Sequence, residues 1–355
     1  MIDTRRRSLV TALPLMLFPR FLLAALPPPT RCPVNMLSGW VDDDGVSWLT
    51  LLNTAGIVQR WAMGFEPHQI LQLPHAVDGV LAIARKPGEY ALHQPQQEEL
   101  TASIIEAPSG MYLYGHGAVD LAHGRLLLSG QDAVDESGRV LAYDLQNFSY
   151  IGAYQTNGIE PHQLLRSRQG QWWLAHGGMQ LQPEYWRRHA KTVLNSGISI
   201  AGTNLEFRQI ISMSCKELSL RHLAELPDGR MAIAGKTPHP AMHGLMFIID
   251  HRASRPLPLA GSVRYALSVH TDGDWLAATF PLDDCIMLWK IAQGFQVQRV
   301  DLEEPSGIIL HNNDCFVTSR AGFFIKLICD GKRWKVTSKA DLGGRFTDHL
   351  LLISN

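Results

Sequence analysis

The chain has 355 residues, 46% of them apolar and 18% charged, with 32 Lys and Arg against 33 Asp and Glu and a net charge of −1. That length suits two ordinary domains or one large all-β domain. The balanced charge, spread along the chain, excludes the electrostatic footprint of a nucleic-acid binder or of a protein held on an anionic membrane surface.

Residues 1–30 differ from the rest. Thr4-Arg5-Arg6-Arg7-Ser8-Leu9-Val10 leads into a mostly apolar run from Leu9 to Leu26, which ends at Pro27-Pro28-Pro29. A basic start, an apolar middle and a break form an export signal, and paired arginines before Ser-Leu-Val point to the twin-arginine route and a periplasmic location. Pro14, Pro19 and Arg20 interrupt the run and argue against a stable spanning helix. Pro29-Thr30-Arg31 before Cys32 is a poor context for acylation. The folded domain is expected over residues 37–355.

From Gly39 onward, apolar alternation over four to eight residues recurs between Gly, Asp, Asn and Pro turns, the pattern of short strands. GWVDDDGVSWLTLLN (Gly39 to Asn53) comes first, as a hairpin with no assigned partner. Six stretches then share one template of an opening strand, a polar turn and a second apolar strand. They are EPHQILQLPHAVDGVLAIAR, GHGAVDLAHGRLLLSG, EPHQLLRSRQGQWWLAHGG, RHLAELPDGRMAIAG, YALSVHTDGDWLAATF and SGIILHNNDCFVTS. TDHLLLISN supplies a seventh opening and then stops. Spacings of 48 residues from His68 to His116, 46 to His162, 60 to His222 and 47 to Val269 are those of β-propeller blades. The expected fold is all-β: a seven-bladed β-propeller whose N-terminal hairpin completes the last blade, leaving no long unpaired edge. Helix is expected only around Gln182 to Asn195, inside the long insertion from Met179 to Phe207.

The template fixes where the histidines go. The first strand of each blade lines the central axis, so equivalent positions form rings around it. His68, His116, His162, His222 and His349 all fall at or just before such a strand. Five imidazoles facing one end of one channel suit a transition metal such as iron or copper. Glu66, Glu160 and Asp348 lie beside His68, His162 and His349 and could orient those rings. With Arg221, the same imidazoles could instead hold a small anion. A water-filled polar channel mouth is the plainer alternative.

Other signals are weaker. His75, His123, His176 and His270 sit later in their units, and His239 and His243 in a Pro-rich loop; all are expected at the surface or in packing. Trp172-Trp173 is expected to place one ring in and one out, and Tyr185-Trp186-Arg187-Arg188 to sit in an exposed insertion or cover the channel. There is no G-x-S-x-G, P-loop or HExxH, and the acidic pairs lie in turns, so whether the protein is an enzyme stays open. The five cysteines, Cys32, Cys215, Cys285, Cys315 and Cys329, contain no CxxC pair. The last four allow three disulfide pairings in an oxidising compartment, and buried free thiols are the alternative.

YGHGAVD (Tyr114 to Asp120), GIEPHQL (Gly158 to Leu164), LAHGGM (Leu174 to Met179), LSLRHLA (Leu218 to Ala224), ARKPG (Ala84 to Gly88) and FTDHL resemble a bacterial family catalogued as a domain of unknown function, fifteen-thirteen in its series. The resemblance runs over most of the chain from about Gly39. It implies a twin-arginine-exported seven-bladed propeller, often encoded beside imelysin-like and di-haem oxidase-like proteins of iron acquisition. The five histidines match family positions. The chain departs from the pattern at Met111-Tyr112-Leu113, Leu181-Gln182-Pro183 and Phe280-Pro281-Leu282-Asp283, where the family carries further Arg and His. The reading that joins these observations is a periplasmic binding or accessory protein with a histidine-lined axial metal site, working with imelysin-like partners. The alternatives are a propeller oxidoreductase or lyase acting on a small anion, and a non-catalytic docking scaffold.

Overall fold

The computed structural model describes residues 34–74, 79–85, 88, 90–94, 102–179, 195–212, 217–241, 243–249 and 253–353. The export signal, Cys32, Cys215, His75, the Tyr185 to Arg188 segment and the helix expected around Gln182, apart from Asn195, lie outside the described residues.

Seven antiparallel sheets, six of four strands and one of five, form seven blades. Their inner strands are Pro67–Gln72, Met111–Asp120, Pro161–Arg166, Ser219–Glu225, Val269–Thr271, Pro305–His311 and Arg345–Leu352, which define blades 1 to 7. Each inner strand touches the inner strands of both neighbouring blades, and that of blade 7 touches that of blade 1, so the ring closes. Blade 7 is built from both ends of the propeller: outside Arg345–Leu352 lie Met36–Val41, Ser47–Asn53 and Gly56–Met63. Met36 pairs Leu352 and Trp40 pairs Phe346 across this closure. The Trp40 indole N–H donates to the Gly343 carbonyl at 2.9 Å. The hairpin that stands alone in the sequence is therefore the clasp of the ring.

Packing explains why the middle strands carry apolar residues at consecutive positions instead of strictly alternating. Each blade is covered on both faces by its neighbours, so both faces of a strand are buried. In blade 2, Leu126 and Leu128 join a core with Leu81 and Ile83 of blade 1, while Leu127 faces Trp172 of blade 3. Trp173 packs the other way, with Leu223 and Ile233 of blade 4. The expectation of one ring in and one out is thus corrected: both rings are buried, on opposite faces of one strand. Cys285, Cys315 and Cys329 are free and buried in these interfaces. Desolvation raises the Cys285 thiol to about 12, so it packs as a small apolar group.

Blade 4 carries the extra strand. Its second strand, Met231–Ala241, runs on past the blade, and Val263–Tyr265 pairs with the overhang, Tyr265 opposite Lys236. Pairing with the third strand stops at Ala234, which also pairs with His222, while pairing with the inner strand continues to Lys236 opposite Ser219.

Candidate functional site

The five histidines reach the axis because the inner strands are irregular there. A β-bulge adds residues to one strand of a pair and re-aims the side chain it carries. The ladder breaks between Pro67 and Gln69 around His68, and between Leu113 and Gly117 around His116. It breaks again between Pro161 and Leu164 around His162, and between Leu220 and His222. In blade 7 the stretch between Phe346 and Leu350, which holds His349, faces only the step from Trp40 to Ser38. Blades 5 and 6 have Ser268 and Ser306 near the matching height, so the imidazoles come from five of the seven blades.

The cluster is compact. The His116 ring centroid lies 4.7 Å from His68, 4.5 Å from His162, 5.3 Å from His222 and 5.0 Å from His349. The other four form a circuit around it: His68 to His162 is 6.0 Å, His162 to His222 4.9 Å, His222 to His349 4.9 Å and His349 to His68 5.0 Å. Ligand nitrogens of His68, His116 and His349 lie within 4.8 Å of one another, as do those of His116, His162 and His222. All are buried except His349, which is partly open.

This arrangement fits a transition metal. With metal–nitrogen bonds of about 2.0–2.1 Å, imidazole centroids around one ion sit about 4.5 Å apart at right angles and about 5.2 Å apart at tetrahedral angles. Most of the observed separations fall in or near that range. The His68 Nε2 and His116 Nε2 atoms face each other at 3.1 Å, a spacing that suits either a shared proton or two ligands of one ion. Within the described protein, neither ring nitrogen of the fully buried His222 has a hydrogen-bond partner, nor does Nε2 of His349. Orphaned buried nitrogens are costly unless something binds them.

Burial keeps His222 and His349 neutral, as metal ligation requires. Desolvation, then the charges of His349 and His68, hold the pKa of His222 well below the usual histidine value. Desolvation, then His68, brings that of His349 down to about 3, against the opposing pull of Asp348. Asp348 Oδ2 lies 3.0 Å from His68 Nδ1. A carboxylate at that distance favours the tautomer protonated on Nδ1, which leaves the Nε2 lone pair for the cluster. Burial works to raise the pKa of Asp348, but the His68 contact, Arg320 and Arg85 hold it well below the carboxylate range.

Asp348 therefore meets His68 of the next blade, whereas the sequence placed it beside its neighbour His349. The other carboxylates grip arginines. Glu66 binds Arg345 of blade 7 at 2.7 Å and Arg85 of its own blade at 2.8 Å. Glu160 binds the buried Arg221 of blade 4 at 2.8 Å and accepts from the Met179 N–H at 3.0 Å. Glu160 adopts φ +53°, an unfavourable left-handed conformation for a non-glycine residue, immediately before Pro161 and His162.

The EPHQ repeat now has a physical account. Its His enters the channel, and its Gln locks the following blade. Gln69 accepts from the N–H of Gly117, the residue after His116, at 2.8 Å. Gln163 accepts from the N–H of Leu223, the residue after His222, at 2.6 Å. Glycines of the neighbouring motifs make room. Gly115 has φ +85°, and a Cβ there would stand 2.5 Å from the His68 ring. A Cβ on Gly177 would collide with the Glu160 carboxylate.

Among the other histidines, His123 pairs with the buried Asp120 at 2.9 Å, and His270 accepts from the Leu310 N–H of the next blade at 3.2 Å. His176 is fully buried, 3.0 Å from the Ser199 hydroxyl, and belongs to the packing. Sequence reasoning missed the Gln locks, although both copies of the repeat carry the residue. It also missed Arg320, which binds Asp348 at 2.6 Å, and Lys236, neither of which belongs to a repeated motif.

Comparison with solved structures shows the fold. The periplasmic gluconolactonase PpgL of Pseudomonas aeruginosa is similar over 91% of this chain and 99% of its own, with a TM-score of 0.61 at 12% identity. Hydrazine synthase of Kuenenia stuttgartiensis is similar over 90% and 99%, with a TM-score of 0.60 at 12% identity. Apo AztD of Citrobacter koseri is similar over 91% and 99%, with a TM-score of 0.53 at 11% identity. No curated protein sequence matches the chain. The family model described as "Protein of unknown function (DUF1513)" matches residues 63–353, from the clasp strand through the last inner strand. The chain therefore belongs to the DUF1513 family.

Proposed function

We propose that the protein is a periplasmic binding or accessory protein that holds a transition metal, iron or copper, on its axial histidines and serves metal acquisition. The observation that carries this reading is the convergence of imidazoles from five blades around His116, at separations that one ion can span. His68, His116, His162, His222 and His349 would be the ligands, and imidazole donors suit both metals. Asp348 would fix the tautomer of His68, and Glu160 with Arg221 would hold the strand that delivers His162. A bound ion would supply Lewis-acid or redox character, and the protein's own part is to bind and orient it. Among the described residues, no helix is long and apolar enough to cross a membrane. The export pattern of residues 1–30 supports a periplasmic setting, as does a fold shared with a periplasmic gluconolactonase. Imelysin-like proteins remain the proposed partners.

The test is elemental analysis of natively exported protein, purified without an affinity tag or chelator. About one equivalent of iron or copper per chain is expected. The His116→Ala, His162→Ala double variant should retain less than a tenth of it. Sub-stoichiometric metal in the wild type together with unchanged uptake by the variant would end the reading.

A further inference from the structure

Beside the histidine cluster lies a second group of charges that metal binding does not use. Arg221, Arg320, Arg345 and Arg85 each bond to one of three carboxylates, Glu160, Asp348 or Glu66. Lys236 is different. Among the described residues no carboxylate lies within ion-pair distance of its ammonium, which sits 5.2 Å from the centroid of the Tyr265 ring.

The fold places this residue deliberately. Lys236 lies on the second strand of blade 4, opposite Ser219 of the inner strand and two positions beyond Ala234, which pairs with His222. Residues two apart on a strand share a face. Among the described residues this blade alone has a fifth strand, Val263–Tyr265, which sets Tyr265 directly opposite Lys236. The charges of Arg221, Glu160, Arg320 and Arg85 all act on the Lys236 ammonium. Those of Asp348, Arg221, Arg320 and Arg85 all act on the Tyr265 hydroxyl. These groups therefore share one neighbourhood, with four cations, Lys236 included, against two carboxylates.

We propose that Lys236 and Tyr265 form a binding site for a small oxyanion, a carboxylate such as a di- or tricarboxylate or an inorganic phosphate, beside the histidine cluster. The ammonium supplies a charge-assisted hydrogen bond and the phenol a neutral one, and the surplus positive charge around them favours an anionic ligand. Desolvation, then repulsion from Arg221, brings the Lys236 pKa down to about 8 against the opposing pull of Glu160. The inference stands apart from the metal reading, because it uses none of the five histidines.

The test is calorimetric titration of the full metal-free protein at low salt with citrate, with inorganic phosphate and, as a neutral control, with ribose. Saturable binding of citrate or phosphate, and none of ribose, is expected. The preferred anion identifies the source, carboxylate or phosphate. Lys236→Met should weaken that binding by about tenfold or more, the loss of one charge-assisted contact. Its metal content should match the wild type, so failure here is separable from failure of the metal reading. If the Met variant does not fold, Lys236→Gln decides, since it retains a polar side chain and loses the charge. Absence of binding by both anions, or equal affinity in wild type and variant, overturns the proposal.

Discussion

Replacing Asp348 with Asn tests how the site holds its first ring. The carboxylate is buried and has two partners, His68 Nδ1 at 3.0 Å and Arg320 Nη2 at 2.6 Å. The amide keeps the shape but loses the charge. Removing one member of a fully buried ion pair costs about 3–5 kcal/mol. Arg320 is a quarter exposed, so solvent screens part of that loss. An amide oxygen can still accept from one partner, and about 1–3 kcal/mol is the expected cost. The second effect falls on the metal. An Asn can present its NH₂ to His68 Nδ1, which forces the proton to Nε2 and closes the nitrogen that faces His116. Loss of such an outer partner typically weakens metal affinity by about 10–100-fold. Urea unfolding and a competition titration against a chromogenic chelator measure the two effects separately. A variant with wild-type stability and wild-type metal affinity would refute the orienting role of Asp348.

Other expectations follow from single contacts. Gly115→Ala places a methyl 2.5 Å from the His68 ring at φ +85°, so it should lose about 2–4 kcal/mol in urea unfolding and lower metal occupancy with it. Trp40→Ala removes a buried ring and its bond to Gly343 from the clasp of blade 7, and should cost about 3–5 kcal/mol without changing metal stoichiometry in the protein that remains folded. Desolvation lowers the pKa of His176 to about 4, so the folded state refuses a proton that the unfolded chain accepts near pH 6.5. Its contribution is present above about pH 6.5 and lost as pH falls toward 4, amounting to about 3 kcal/mol at the acid end. Relative to the wild type, His176→Gln should flatten the fall in stability between pH 7 and pH 4.5; parallel curves would contradict this.

The fold was legible because a propeller repeats. Each blade must bury the same kind of face against the next, so the Asp-Gly turns and apolar pairs recur at blade spacing, and EPHQ recurs two blades on. The histidines were legible for the same reason, since equal positions in a ring share one height. What the repeat does not encode is contact between blades. Asp348 lies next to His349 in the chain but reaches His68 in the neighbouring blade, 280 positions away. Glu66 likewise reaches Arg345. The bulges that aim the rings hide as well, because one extra residue in a strand looks like ordinary chain. Lys236 and Tyr265 were invisible, since they follow the repeated strand–turn–strand template of blade 4 instead of belonging to it.

The most direct measurement of the central claim is X-ray absorption at the edge of the bound metal, on protein exported and purified without chelators. Four or five nitrogen scatterers at about 2.0–2.2 Å, with the outer-shell scattering of imidazole rings, are predicted. A shell of oxygen atoms alone, or one imidazole at most, would contradict the account.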